Sequence, residues 1–437
     1  DLGDAAHFQR LKALEHMIEG YAGSRPAHAG SDPASAYNRV TENLRQHLRW
    51  LWDAVNMAGR GAEDVNFQRG TPRGRAVNVM LTGFDPFGPD GGPGLQALPP
   101  SPPARSFDSL SLGTGPGAPA PGPCNTSGAA VLDLDGQRLP VADSQGQRAT
   151  AAVEGVVLPV SYAEFDGGLV ERILGPRLRD ADALLTVSMG AGPAGGPVRL
   201  ERYVVGIRHI MGAMRGVPAA PGSATPGPVI IESNAPLGDI AAGTERPPRG
   251  GRRPDPGIPR PEIGENLLFR FASNAEASAA QRALGGVLGG TAGDADMEWR
   301  TPDHVMVYAP ATVQAIVPTL ARVGTGAQVS FRFAGRTFQA TLAGGPGGDF
   351  LSNEVSYRAL RGIGGTAAPL SFHTHTQRAD AIPDEGSTRA SRRARQTALD
   401  AARALRRTLI DTMKRVIVSV ARIVLDRRRA SSGGRRP

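Results

Sequence analysis

The sequence predicts an α/β fold: a mostly parallel sheet with helices on both faces, preceded by an N-terminal helical extension. Three observations lead there. Short runs rich in Val, Leu and Ile recur along the chain and are separated by segments of helical period. These runs are apolar on consecutive residues, as strands covered on both faces are. The chain has 437 residues, enough for one main domain with additions, or for two domains.

Residues 1–70 read as two helices and a linker. Phe8, Leu11, Leu14, Met17 and Ile18 follow a helical period, and Tyr37, Val40, Leu44, Leu48, Leu51 and Val55 follow it more clearly. Asp32 and Pro33 give the second helix a cap and a first-turn proline. Trp50 and Trp52 read as packing residues, and Arg60 to Arg75 as linker.

The main domain, residues 75–430, opens with the buried strand VNVML (77–81), followed by GVVLPV (155–160). Phe165 to Leu178 reads as helix, with Leu169, Val170, Ile173 and Leu174 on one side. ALLTVSM (183–189) is the next strand and ends in a glycine-rich turn, Gly190 to Gly196. VIIES (229–233), HVMVYA (304–309) and QVSFRF (328–333) read as extended, Val313 to Val323 as helix, and PLSFHTH (369–375) as the last strand. Strands alternating with helices argue for a largely parallel sheet covered on both faces. Pro/Gly-rich stretches at about 89–123, 218–261 and 285–294 lack the apolar residues to build a core and read as mobile surface insertions.

The last helix carries Leu399, Ala402, Leu405, Leu409, Met413, Val416, Val420 and Ile423 at spacings of three and four. Arg403, Arg406, Arg407, Lys414, Arg415 and Arg422 lie off that stripe. The stripe is expected to pack on the sheet with the arginines solvated; binding to a membrane surface or an acidic partner is the alternative. Residues from Arg427 onward, with 431–437 at its end, read as a disordered basic tail.

Composition narrows the function classes. Net charge is +8, from 49 basic and 41 acidic residues. No nucleic-acid-binding motif accompanies it, and aromatics are 5%, too few for base-stacking surfaces, so no nucleic-acid partner is expected. The single cysteine, Cys124, excludes an intrachain disulfide and the CxxC zinc motifs. No apolar run spans a membrane; the best, Val416 to Val420, is cut by Arg422. The chain starts at Asp1 with no visible signal peptide, which leaves a removed leader open.

Three clusters could carry chemistry. Ser352, in GGDFLSNEVSY, follows glycines and opens a helical pattern. Such a serine is either an N-cap or a nucleophile whose oxyanion faces helix-terminal N–H groups, and on these residues alone the cap reading leads. His373 and His375 end a buried strand, where α/β proteins build sites, and share one face. No third ligand completes a His-x-His metal pair. Glu201, in VRLERYVVG, is a carboxylate between apolar residues that could orient a histidine, bind a substrate N–H, or pair with Arg202.

Taken in order, these segments resemble the pyroglutamyl peptidase I family, cysteine peptidases that remove N-terminal pyroglutamate. VNVMLTGFDPFG (77–88) is similar to the family's first strand and its TGFxPFG loop. Asn125 to Ala130 with LDLDG (132–136) is similar to its Asn-Pro-Ser segment and following helix, and VVLPV (156–160) to its Leu-Pro-Val strand. Ala183 to Gly206 resembles its glycine turn and Glu-Arg motif, GDFLSNEVSY (348–357) its Tyr-Leu-Cys-Asn segment, and LSFHTH (370–375) its histidine strand. The resemblance runs from Val77 onward, without the insertions.

The resemblance implies a cytoplasmic peptidase without a cofactor or metal, acting on a peptide or small amide. Phe84 and Phe87 fall on its pyroglutamate-holding phenylalanines, and Asn125 on its Asn-Pro-Ser asparagine near the substrate. Glu201 falls on its essential glutamate, and His373 on its catalytic histidine, with His375 the alternative if the alignment shifts by two. Ser352 falls on the nucleophilic cysteine. Gly195 replaces an arginine, Gly206 an asparagine and Thr126 a proline; Cys124 is a lone loop thiol beside Asn125. Two functions follow as expectations. One is a hydrolase with Ser352, His373 and Glu201 as its machinery. The other is an inactive descendant that binds a ligand, or a protein through the N-terminal helices or the basic C-terminal helix.

Overall fold

The structure, a computed structural model, describes residues 57–58, 60–62, 65–67, 76–84, 125–160, 162–189, 197–210, 213–216, 230–245, 258–264, 267–271, 305–309, 328–333, 336–342, 351–363, 369–376 and 388–433. The N-terminal helices, the Gly190 to Gly196 turn, the Val313 to Val323 helix, Phe87 and Cys124 lie outside these residues.

Seven strands form the main sheet. They are β1 (Ala76–Phe84), β2 (Arg138–Ala142), β3 (Arg148–Leu158), β4 (Ala183–Met189), β5 (Arg199–Glu201), β10 (Glu262–Gly264) and β15 (Leu370–Thr376), in the order β10-β5-β15-β4-β1-β3-β2. The central run β15-β4-β1-β3 is parallel throughout. β5 and β2 are antiparallel to their inner neighbours, β15 and β3. The sheet is therefore mixed but mostly parallel, and the fold is α/β, as the sequence predicts. Consecutive buried residues in β1, β3 and β4 give the reason: both faces of these strands are covered.

One face is aliphatic. Val77, Val79, Leu81, Leu185, Val187, Leu370 and Phe372 form one core cluster with residues of three helices. These are α1 (Thr126–Leu134), α4 (Leu237–Gly243) and α6 (Arg389–Gly433). The opposite face carries Met80, Phe84, Val156 and Leu184. It is covered by α2 (Tyr162–Asp166), α3 (Leu169–Arg177) and α5 (Leu351–Ile363).

The junction between β1 and α1 is close-packed because two residues lack side chains. A Cβ on Gly83 would meet the Ser127 carbonyl oxygen at 2.6 Å, and one on Gly128 would collide with the Phe84 carbonyl. Asn125 caps α1; its side-chain oxygen accepts from the Ser127 N–H at 3.1 Å.

α5 is fixed to α3 by ion pairs. Arg358, fully buried, donates to Glu354 at 2.7 Å and to Glu171 at 2.9 Å. Burial opposes the arginine's charge, and these two carboxylates more than restore it. On another side of α5, Tyr357 and Leu360 pack with Val204 and Ile231. Those two belong to the ribbon of β6 (Tyr203–Val205) and β9 (Ile230–Glu232). A second ribbon pairs β7 (Ile207–Ile210) with β8 (Ala213–Gly216). A separate antiparallel sheet has the order β12-β11-β14-β13. Its strands are β11 (Leu267–Phe271), β12 (Val305–Ala309), β13 (Gln328–Phe333) and β14 (Arg336–Leu342).

Four sequence expectations need correction. The 60–75 linker is partly built into the core: Ala62 and Phe67 are buried, and the Arg60 carbonyl accepts from the Val157 N–H at 3.0 Å. The 218–261 stretch is not all surface insertion: besides the expected strand β9 it holds α4, because Leu237, Ile240 and Ala241 have an apolar face to bury against α6. The basic tail is helical to Gly433. There Arg428 donates to the Ala76 carbonyl at 2.8 Å and pairs with Asp182, and Arg429 pairs with Asp143 at 2.9 Å. Finally, the C-terminal arginines are not all solvated. Arg406 makes a two-pronged contact with Asp133 at 2.6 and 2.7 Å, and Arg422 donates to the Ala142 carbonyl at 3.3 Å. The apolar stripe packs as expected through Leu409, Met413, Val416, Ile417, Val420 and Val424, each contributing about 1.5–3 kcal/mol on full burial. No described helix is long and apolar enough to cross a membrane.

Candidate functional site

Strand alternation assembles the site. On β15, odd positions point away from the aliphatic face, so His373 and His375 share a side with Thr186 and Ser188 of β4. The register aligns them. Thr82 of β1 pairs with Thr186, Thr186 with His373, and His373 with Glu201 of β5. A row of four polar side chains thus crosses four neighbouring strands inside the protein. The adjacent row sets Ser188 beside His375, and His375 beside Arg199.

His373 is held on both ring nitrogens. Nδ1 lies 2.7 Å from Ser356 Oγ of α5 and 2.9 Å from Thr186 Oγ1. The two hydroxyls also contact each other closely. Nε2 lies 2.8 Å from Ser188 Oγ and 3.4 Å from Nε2 of His375. His375 turns Nδ1 to Glu201 Oε1 at 3.1 Å. The rings meet edge to face, 84° apart. A continuous chain runs Glu201–His375–His373–Ser356.

The surroundings are dry. Glu201, His373 and Ser356 are each 1% exposed. Burial, and then the neighbouring His375, push the His373 pKa well below its ordinary value, so its ring is neutral near neutral pH. Glu201 Oε2 and Thr82 Oγ1 are buried with no hydrogen-bond partner among the described residues. Both are polar atoms that folding has left unsatisfied in this row.

Ser352 stands at the start of α5, half-buried. Among the described residues its hydroxyl bonds to neither histidine. The His373 ring instead meets Ser356, one turn further on, whose hydroxyl also approaches the Ser352 carbonyl at 3.4 Å. Phe84 packs against Phe165, with centroids 6.3 Å apart, and its N–H donates to Ser127 Oγ at 3.1 Å. Ser127 Oγ donates in turn to the capping oxygen of Asn125 at 2.7 Å. Asn125 and Phe84 therefore belong to one bonded junction at the end of β1, and the side-chain oxygen of Asn125 is used within it. Thr126 joins α1 to β15 through Thr376 at 2.8 Å. Among the described residues no group of three or more His, Cys, Asp or Glu could hold a metal ion.

Sequence reasoning brought Glu201 and the two histidines into one site and missed Thr186, Ser188 and Ser356. Hydroxyls inside apolar strands and helices form no motif. The one available signal was periodicity: Thr186 and Ser188 occupy the same alternate positions on their strand as the histidines do on theirs.

Comparison with known proteins gives partial matches. The model of the PA0049 C-terminal domain family matches residues 104–208, less than half of the chain. The chain is 30% identical over 158 residues to an uncharacterised protein, PA0049, of Pseudomonas aeruginosa. That alignment covers 33% of this chain and 22% of the relative, so the chain matches about a fifth of that protein's length. Among solved structures, a mutant pyrrolidone carboxyl peptidase of Pyrococcus furiosus is similar with a TM-score of 0.35 and 16% identity, covering 79% of this chain and 98% of its own. The pyrrolidone carboxyl peptidase of Thermococcus litoralis has a TM-score of 0.35 and 13% identity, covering 80% and 96%.

Proposed function

We propose that this chain is a pyroglutamyl-peptidase-like hydrolase, which removes N-terminal pyroglutamate or cleaves a related small amide with Ser352 as nucleophile. The reading is supported by the ordered motifs from Val77 to His375. The observation that carries it is the acid–histidine–histidine chain Glu201–His375–His373, which meets Ser356 one turn after Ser352 on the same helix.

In this mechanism the Ser352 oxygen attacks the amide carbonyl, and its proton passes to neutral His373 at Nδ1, with the Ser356 hydroxyl as the bridge. The oxyanion that forms faces the N-terminal end of α5, where the helix dipole favours negative charge. Collapse breaks the C–N bond, and the leaving amine takes the proton back. Water then hydrolyses the acyl-serine by the same route.

A second reading has its own observation. Both His373 nitrogens are engaged by buried hydroxyls, and a serine stands where the resembled family has a thiol. A thiol ionises near neutral pH, whereas a hydroxyl needs an available base at the moment of attack. On this reading the pocket binds a ligand without turning it over.

Release of a fluorophore from a pyroglutamyl amide by the full chain separates the two. The hydrolase reading expects turnover that Ser352→Ala reduces about 1000-fold. An inactive wild type with activity gained in Ser352→Cys selects the binding reading. Activity that survives Ser352→Ala removes Ser352 as nucleophile.

A further inference from the structure

The histidine chain fixes where protons sit. As a carboxylate, Glu201 can only accept, so His375 Nδ1, at 3.1 Å, carries its hydrogen and donates. A neutral His375 then keeps its lone pair on Nε2. That atom faces His373 Nε2 at 3.4 Å. One hydrogen fits between two ring nitrogens, so His373 carries it, directed also at Ser188 Oγ at 2.8 Å. His373 Nδ1 is left as the acceptor and takes a hydroxyl hydrogen from Ser356 or Thr186. The order runs one way, from Glu201 to α5.

We propose that His375 is a positioning residue: through it the Glu201 carboxylate sets the tautomer of His373, and it accepts the Nε2 hydrogen of His373 when Nδ1 of that ring takes a proton from the reacting serine. In that step an N–H bond forms at His373 Nδ1. The hydrogen on His373 Nε2 passes to His375 Nε2, leaving His373 neutral and His375 an imidazolium beside Glu201. No charge comes to rest on the more deeply buried ring. The low pKa of His373, set by burial and by His375, agrees with this.

Among the described residues, few groups face the pair. β5 supplies Glu201 and, opposite His375 in register, the exposed Arg199. β4 supplies only the hydroxyls of Thr186 and Ser188. On α5, Glu354 and Arg358 are bonded to each other, and Ser356 meets the ring.

The catalytic part of this inference rests on the hydrolase reading; the proton order does not. The test is long-range 1H–15N spectroscopy of the full chain with labelled histidine between pH 8 and 5, with signals assigned through His373→Gln and His375→Gln. The expected wild type shows His375 as the Nδ1–H tautomer and His373 as the Nε2–H tautomer. Glu201→Gln mixes the tautomers of both rings. A His373 signal in the Nδ1–H form, or a His375 signal in the Nε2–H form, overturns the proposal without recourse to any variant. In the hydrolysis assay His375→Gln should lower kcat about 100-fold with KM little changed, while an unchanged kcat overturns the positioning role. A wild type with this proton order and no turnover refutes the hydrolase reading and leaves the order standing.

Discussion

The two faces of the main sheet use the same strands for opposite ends. Along β4 and β15, Leu185, Val187, Leu370 and Phe372 enter the aliphatic core under α1 and α6, while Thr186, Ser188, His373 and His375 enter the polar row under α5. Each strand switches between oil and chemistry at every residue, because successive side chains point to opposite faces. A histidine pair needs a rigid, dry floor to hold its tautomers, and the aliphatic face supplies it. Substitutions on one face should therefore act on stability, and those on the other on proton chemistry.

The largest test of that contrast is Phe372→Ala. It should cost about 3–5 kcal/mol in denaturant unfolding, with turnover or ligand binding per folded molecule unchanged. Comparable stability with altered binding would break the division. The second test uses pH. The folded-state pKa of His373 is lowered, so the unfolded chain takes up the proton first as pH falls. Its contribution is whole above about 6.5, the unfolded value, and is lost as pH drops toward the lower folded value. Melting temperature should fall across that window, and His373→Gln should flatten the slope; equal slopes would show that the ring is not the titrating group.

A smaller effect is expected at Thr82, whose hydroxyl lies buried and unsatisfied in the polar row. Thr82→Val keeps the shape and removes the orphaned oxygen, so stability should rise by about 1 kcal/mol. A loss would mean that the hydroxyl has a partner in solution. Smallest of all is Arg406→Ala at the margin of the aliphatic face. Losing its partly exposed pair with Asp133 should cost about 0.5–1 kcal/mol in chemical denaturation, and less in high salt.

Much of the main sheet was legible because its strands are buried on both faces and carry runs of consecutive apolar residues, as in VML (79–81) and ALL (183–185). The edges were not. Arg138–Ala142, flanked by charged and turn residues, has one buried position, so no continuous apolar run announces it. In the four-stranded sheet HVMVYA and QVSFRF were read as extended, but the other two strands escaped: RTFQATL alternates polar and apolar residues, and LLFRF lies directly beyond the proline-rich stretch. The C-terminal stripe was visible at once, yet its arginine partners Asp133, Asp143 and Asp182 lie more than 240 residues away in sequence. In the site, Glu201 and the histidines drew notice as titratable groups in apolar settings. Which histidine meets the carboxylate was not readable. Register opposes Glu201 to His373, but the side chain bonds diagonally to His375.

The position of β15 also bears on how the molecule is made. The strand is inserted between β4 and β5, at the middle of the main sheet, yet more than 150 residues of chain separate it from either. A growing chain holds Thr186, Ser188 and Glu201 long before His373 and His375 have been synthesised. Until then the sheet has a slot at its centre with two unpaired edges, and α6, which follows, has not covered the aliphatic face. Closing so long a loop costs entropy that rises with the logarithm of its length, and such non-local pairings slow folding. Assembly should therefore be limited by the arrival of β15, and the histidine chain should be among the last parts of the protein to exist.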